Sequence, residues 1–135
     1  HVIRRVARLG IADRFHFTGF LRGADVDKMF QLSDVFVMPS VSEPFGIAPL
    51  EAMRSNVPVI ISKQSGVAEV LDYAIKVDYW DVDAMADAIY GLVNYPALSK
   101  MFAEKGLEEV TSLKWNHASA KIKKVYEDAI NECNK

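Results

Sequence analysis

The sequence predicts an α/β fold, a Rossmann-like parallel sheet with helices packed on both faces. Two observations carry this. Short, almost unbroken apolar runs stand at residues 34–38, 57–61 and 74–77, the composition of strands buried on both sides. Between and after them apolar residues recur at helical spacing, so strand and helix alternate, as a parallel sheet with crossover helices requires. The 135 residues suit one domain, since a domain of about 150 residues hides roughly 70% of its unfolded surface.

Val2, Ile3, Val6 and Leu9, followed by Gly10, read as an amphipathic helix closed by a glycine. Residues 15–19, with Phe15 and Phe17 around His16, read as a short strand, and His16 there as a structural residue rather than a catalytic one. Asp25 reads as the N-cap of a helix carrying Val26, Met29, Phe30 and Leu32. Residues 34–38 follow as a fully buried strand, and Ile47 to Ser55 as the helix after it. Residues 57–61 form the next buried strand, with Pro58 near its start where a missing donor is tolerated. The loop 62–66 then lies at a strand's carboxyl end, where the ligand crevice of an open parallel sheet forms. Residues 74–77 make the last strand. Asp81 or Asp83 caps a helix with Met85, Ala88, Ile89, Leu92 and Val93 on one face, and Pro96 to Val110 form a second with Leu98, Met101, Phe102 and Leu107. In the final helix Trp115, Ala118, Ile122, Val125, Tyr126 and Ala129 share one stripe, opposite Lys121, Lys123, Lys124 and Asp128, and are expected to pack in the core.

Composition excludes several function classes. Half of the residues are apolar and a quarter charged, with a net charge of −2, so neither disorder nor the basic patch of a nucleic-acid binder is expected. Cys133 is the single cysteine; it permits no internal disulfide and fits a reducing, cytoplasmic setting as an incidental thiol. No apolar run approaches the roughly 20 residues that span a bilayer. The opening His1-Val2-Ile3-Arg4-Arg5 has neither an initiator Met nor the apolar segment of a signal peptide. It enters directly into a helical pattern, so the chain reads as an incomplete domain. The triplets Asp25-Val26-Asp27 and Asp81-Val82-Asp83 precede helices, where Asp is an ordinary cap, and no metal site is expected.

The chemistry concentrates between residues 39 and 51. Pro44 holds Glu43 in an extended conformation, while Gly46 lets the backbone approach a ligand closely as the helix opens. Glu51, placed in the second turn of that helix, tilts its carboxylate back toward the same opening, so the two acids are expected to share one crevice. Between them lie the amides of the first helical turn, suited to a phosphate, and Pro49 removes one of these donors. Carboxylates accepting from hydroxyls beside amides donating to phosphate oxygens fit a polyol joined to phosphate.

Glu43-Pro-Phe-Gly-Ile-Ala-Pro-Leu-Glu51 resembles the E-x7-E element of retaining glycosyltransferases of the GT-B fold, the group that includes glycogen and sucrose synthases. The likeness extends to Phe15-His16-Phe17-Thr18-Gly19-Phe20, to Ser33-Asp34-Val35-Phe36-Val37-Met38-Pro39-Ser40, to Gly66-Val67-Ala68-Glu69-Val70 and to Trp115, and so covers essentially the whole chain. It implies the C-terminal, donor-binding domain of such an enzyme, truncated at its N-terminal side, with a nucleotide sugar as donor and a glycan or other hydroxyl compound as acceptor. By this resemblance Glu51 holds the ribose hydroxyls and Glu43, as catalytic residue, the hydroxyls of the transferred hexosyl group. Backbone amides around Phe45, Gly46, Ile47 and Ala48 hold the sugar and diphosphate. Gly66 belongs to a donor-side turn that commonly has two adjacent glycines, where this sequence has Ser65 first.

The resemblance implies no cofactor and no nucleophilic side chain: the donor phosphate assists attack, and the protein orients the reactants and stabilises charge. The family's diphosphate-binding Arg and Lys and its acceptor residues precede His1, so this chain alone is not expected to turn over. The rival reading is a non-catalytic nucleotide-sugar or phosphate-binding module on the same scaffold, although a plain phosphate site gains nothing from two acids. The Glu-Pro-Phe-Gly-Ile form resembles the glycogen or starch synthase end of the family. With the usual strand order 3-2-1-4-5-6, the three later strands are neighbours and the strand at 15–18 lies beyond two strands that this chain lacks. That segment is then expected to align on the strand at 34–38, or to leave an apolar edge that associates with another chain, or to belong to a larger ordered molecule.

Overall fold

A computed structural model describes residues 1–113 and 115–133. Helices α1 (Val2–Arg8) and α2 (Ala24–Gln31) precede strand β1 (Phe36–Met38) and helix α3 (Ala48–Arg54). Then come β2 (Val59–Ser62), β3 (Ile75–Val77), α4 (Val82–Asn94), α5 (Pro96–Ser112) and α6 (Trp115–Cys133). Short 3-10 turns stand at Ala12–Arg14 and Gly66–Glu69. The strands form a parallel sheet in the order β1-β2-β3, with Phe36 opposite Val59 and Ile60 opposite Ile75. This is the neighbour order expected for the three later strands.

Alternation along β2 divides the core between the two faces of the sheet. Val59 and Ile61 turn to one side, where Ala52 and Met53 of α3 and Val110 of α5 meet them. Ile60 turns to the other, against Leu92 of α4 and half-buried Met85, Ile89 and Phe102. Helices therefore cover both faces. α3 and α5 approach closely because Gly106 is bare: a Cβ there would lie 2.9 Å from Met53 Cε. Glu109 of α5 accepts from the amides of Asp72 (2.7 Å) and Tyr73 (3.0 Å), fixing the chain that leads into β3. Asp81 caps α4 by accepting from the amide of Ala84 at 3.0 Å.

Four expectations are corrected. Residues 15–18 form no strand: Phe15 is extended (φ −113°, ψ 127°), but the segment has no ladder partner among the described residues and does not align on β1. A strand needs a neighbour for its amides, which local composition does not supply; Phe15 and Phe17 instead set their half-exposed rings against each other, centroids 6.0 Å apart. Phe36, Val37 and Met38 are partly rather than fully buried, since β1 ends the sheet on that side. α2 is entered at Gly23 (φ 53°) with no side-chain cap, and Asp25 lies inside its first turn, paired with Lys28 at 3.3 Å. On α6 the stripe Ile122, Val125, Tyr126 is more than half exposed, and Ala129 is exposed as well. Helical periodicity makes a face apolar without saying what covers it. The side chains of Trp115, Ala118 and Cys133 lie outside the described residues.

Candidate functional site

The site is built at the carboxyl ends of β1 and β2. After Met38 the chain leaves the ladder, yet residues 40–45 stay beside residues 62–67. Ser62 Oγ donates to the Ser40 carbonyl (2.6 Å), Gly66 N–H to the Glu43 carbonyl (2.8 Å) and Val67 N–H to the Phe45 carbonyl (3.0 Å). Glu43 and Ser65 form an isolated parallel bridge. Glu43 is thus extended, as the following proline requires. Its side chain folds back over Gly46: a Cβ at Gly46 would lie 3.1 Å from Glu43 Cγ and 3.0 Å from Met38 Cε. Gly46 also has φ 83°, a conformation that side chains resist. The turn therefore needs glycine twice over, for its dihedral and for the space that Glu43 occupies.

Ile47 precedes α3, and its carbonyl accepts from the amides of Leu50 (2.9 Å) and Glu51 (3.1 Å). The amides of Gly46, Ile47 and Ala48 donate to no group among the described residues. They form a short run of donors next to the half-buried Glu43 side chain. Phe45 and Ile47 are exposed on the outside of the turn.

Glu51 stands in the first turn of α3 rather than the second, and is exposed. It lines an open polar cleft of about 420 Å³ between α2 and α3, together with Asp27, Gln31, Arg54 and Ser55. Glu43 is not among the lining residues of that cleft. The two acids flank the start of α3, one before it and one within its first turn.

Gly66 is present for space rather than dihedral, because a Cβ there would overlap the Pro44 carbonyl. Its amide is engaged by Glu43, so it serves the turn from behind. Ser65, at φ −83° and ψ 140°, needs no glycine; its buried hydroxyl donates to the Ser62 carbonyl at 2.8 Å. Glu69 is exposed at the end of its 3-10 turn. His16 is likewise exposed.

Sequence reasoning missed the polar ties of this loop. Lys63 Nζ lies 2.8 Å from Asp78 Oδ2, Gln64 Nε2 donates to Asp78 Oδ1 at 2.8 Å, and Gln64 Oε1 accepts from the Tyr79 amide at 3.3 Å. These tie the loop after β2 to the end of β3. The hydrogen bond from Lys63, then that from Gln64, holds the Asp78 carboxyl below its ordinary range. The only signal was polar residues closing two adjacent strands. Among the described residues no cluster of His, Cys, Asp and Glu has metal-holding geometry, and no helix is long and apolar enough to cross a membrane.

Residues 2–109 match the family model described as glycosyl transferases group 1. The chain belongs to that family. Among its relatives, D-inositol 3-phosphate glycosyltransferase of Corynebacterium diphtheriae is 28% identical over 132 residues, which are 96% of this chain and 31% of that protein. The solved sucrose-phosphate synthase of Thermosynechococcus elongatus superimposes with a TM-score of 0.81 at 27% identity, over 97% of this chain and 34% of that one. The C-terminal domain of a group 1 family glycosyl transferase from Francisella tularensis gives 0.74 at 25% identity, over 82% of this chain and 59% of that one. The chain thus spans about a third of the length of the first two proteins, and its α/β architecture is that of the GT-B glycosyltransferases.

Proposed function

We propose that this chain is the donor-binding part of a retaining glycosyltransferase of the E-x7-E type. It would move a hexosyl group from a nucleotide sugar to a saccharide or other hydroxyl acceptor. The observation that carries the reading is the turn itself: Glu43 folded over Gly46, beside the free amides of Gly46, Ile47 and Ala48. Amides at this position suit the phosphate and sugar oxygens of the donor, and a carboxylate beside them suits sugar hydroxyls. Glu51, exposed in the neighbouring cleft, takes the ribose hydroxyls. Gly66 contributes by holding the turn in place. No side chain acts as nucleophile; the donor phosphate assists the incoming hydroxyl on the face it leaves, and the protein supplies orientation and charge stabilisation. The basic groups for the leaving diphosphate and the acceptor-binding residues are assigned to the remainder of the enzyme, so this chain alone binds donor without turnover. No metal is required by this scheme.

The test is to screen the full-length protein for transfer from ADP-, UDP- and GDP-sugars and to determine the anomeric configuration of the product. Transfer with retention is the expected result. Inversion would sink the retaining mechanism. Donor binding without transfer to any acceptor would favour a non-catalytic nucleotide-sugar module on the same scaffold.

A further inference from the structure

We propose that Ser62 and Ser65 are positioning residues for Glu43, acting through the backbone of the turn that carries it. The proposal rests on the reading above that Glu43 meets the transferred sugar. Its independent basis is the pattern of hydrogen bonds behind the turn. Ser62 is fully buried and Ser65 is 2% exposed. A buried hydroxyl left without a partner is costly, so where such a group donates constrains the chain around it. Both donate to main-chain carbonyls, Ser62 to Ser40 at 2.6 Å and Ser65 to Ser62 at 2.8 Å. Each therefore fixes the path of the chain rather than another side chain.

Their place in the fold gives these bonds their consequence. The β1–β2 ladder ends with Met38 opposite Ile61, and residues 39–47 would otherwise run free until α3 begins. The Ser62 bond to Ser40 extends the pairing just past the last ladder residue. The Ser65 bond, with the Ser65 amide also donating to the Ser62 carbonyl at 3.2 Å, closes the tight turn that delivers Gly66. Gly66 then donates to the Glu43 carbonyl and Val67 to that of Phe45. From Ser40 to Phe45 the turn is held at three points, and the two hydroxyls set the near end and the height of that seam. Displacing reacting groups by about 1 Å can cost a hundredfold in rate. A loosened seam would thus lower turnover without touching the donor.

The test compares Ser62→Ala and Ser65→Ala in the full-length protein with Leu92→Ala, a truncation on α4 in the core of the opposite sheet face. Two readouts separate positioning from bulk stability. Kinetics well below the melting temperature should show kcat reduced about tenfold to hundredfold in the serine variants, with donor KM little changed. Leu92→Ala should lower the melting temperature and leave kcat near wild type. Amide hydrogen exchange at Gly66 and Val67 should accelerate in both serine variants beyond what Leu92→Ala produces through its lower global stability. Ser65 has a backbone conformation that alanine adopts freely, so that variant serves if Ser62→Ala folds poorly. Wild-type kcat in the serine variants, or unchanged exchange at Gly66 and Val67, would overturn the proposal. A Glu43→Gln control separates the two levels: wild-type turnover there, with exchange accelerated in the serine variants, would place the failure in the reading of Glu43 and remove the catalytic part of the proposal with it.

Discussion

The carbonyl of Pro44 occupies the space in which any side chain at Gly66 would lie. The two loops that build the site are thus packed backbone to backbone, and the contact leaves Gly66 N–H aimed at the Glu43 carbonyl at 2.8 Å. A methyl group at this position must push the loops apart. Gly66→Ala is expected to destabilise the fold by about 1–3 kcal/mol, the usual cost of overpacking a buried contact. Urea unfolding measures this directly. A midpoint equal to wild type would mean that the Pro44 loop yields without cost.

Much of this fold was legible in the sequence, and the exceptions share a physical cause. The apolar runs around Val37, Ile60 and Val77 read correctly as neighbouring parallel strands, because strands lying under helices keep a near-continuous apolar composition even where, as in β1, burial is only partial. Of the two caps that the sequence offered, Asp81 and Asp83, the structure uses Asp81, whose bond reaches only three positions along the chain. Phe15 and Phe17 have strand composition, but a ladder requires a partner that no local pattern reports. The stripe through Ile122, Val125 and Tyr126 read correctly as one face and incorrectly as core, since its exposure depends on what else stands nearby. The candidate site divides in the same way. Pro44 announced an extended Glu43 and Gly46 a bare backbone where the helix opens, whereas the Ser62 bond to Ser40 joins residues 22 positions apart and leaves no mark on either serine.

Glu51 stands exposed in the cleft beside Asp27 and Gln31, and the task proposed for it is to accept from two ribose hydroxyls. An amide accepts these more weakly than a carboxylate. Hydrogen bonds to a charged acceptor are worth about 1.5–3 kcal/mol, so Glu51→Gln in the full-length protein should lower kcat/KM roughly tenfold to hundredfold, mainly through a higher donor KM. Steady-state kinetics with each accepted nucleotide sugar provide the check. Unchanged constants with every donor would remove the ribose assignment.

Glu43 is expected to respond differently. Its side chain lies over Gly46, next to the free amides of the turn, where orientation of the sugar matters more as charge develops at the anomeric carbon. Glu43→Gln should therefore depress kcat more than it raises donor KM. Calorimetric titration of the inactive variant with donor should still give near wild-type affinity. A variant altered in nucleotide affinity alone would contradict this division of labour between the two acids.

Acid should loosen the tie between β2 and β3. Asp78 accepts from Lys63 and from Gln64, each at 2.8 Å, and these bonds, Lys63 first, lower its folded-state pKa below the ordinary 3.8. Between the two pKa values the unfolded chain binds a proton that the folded chain does not, so stability falls as pH falls through that window. The contribution is complete above the ordinary carboxylate value and lost below the depressed one. Asp78→Asn removes the titrating group and with it this part of the acid dependence. Melting temperatures followed downward from about pH 5, above the ordinary Asp pKa, should fall more steeply for wild type than for Asp78→Asn, the curves converging at the acid end. Parallel curves would show that Asp78 has the same proton affinity in the folded and unfolded chain, and that the Lys63 and Gln64 contacts do not hold it in its ionised form.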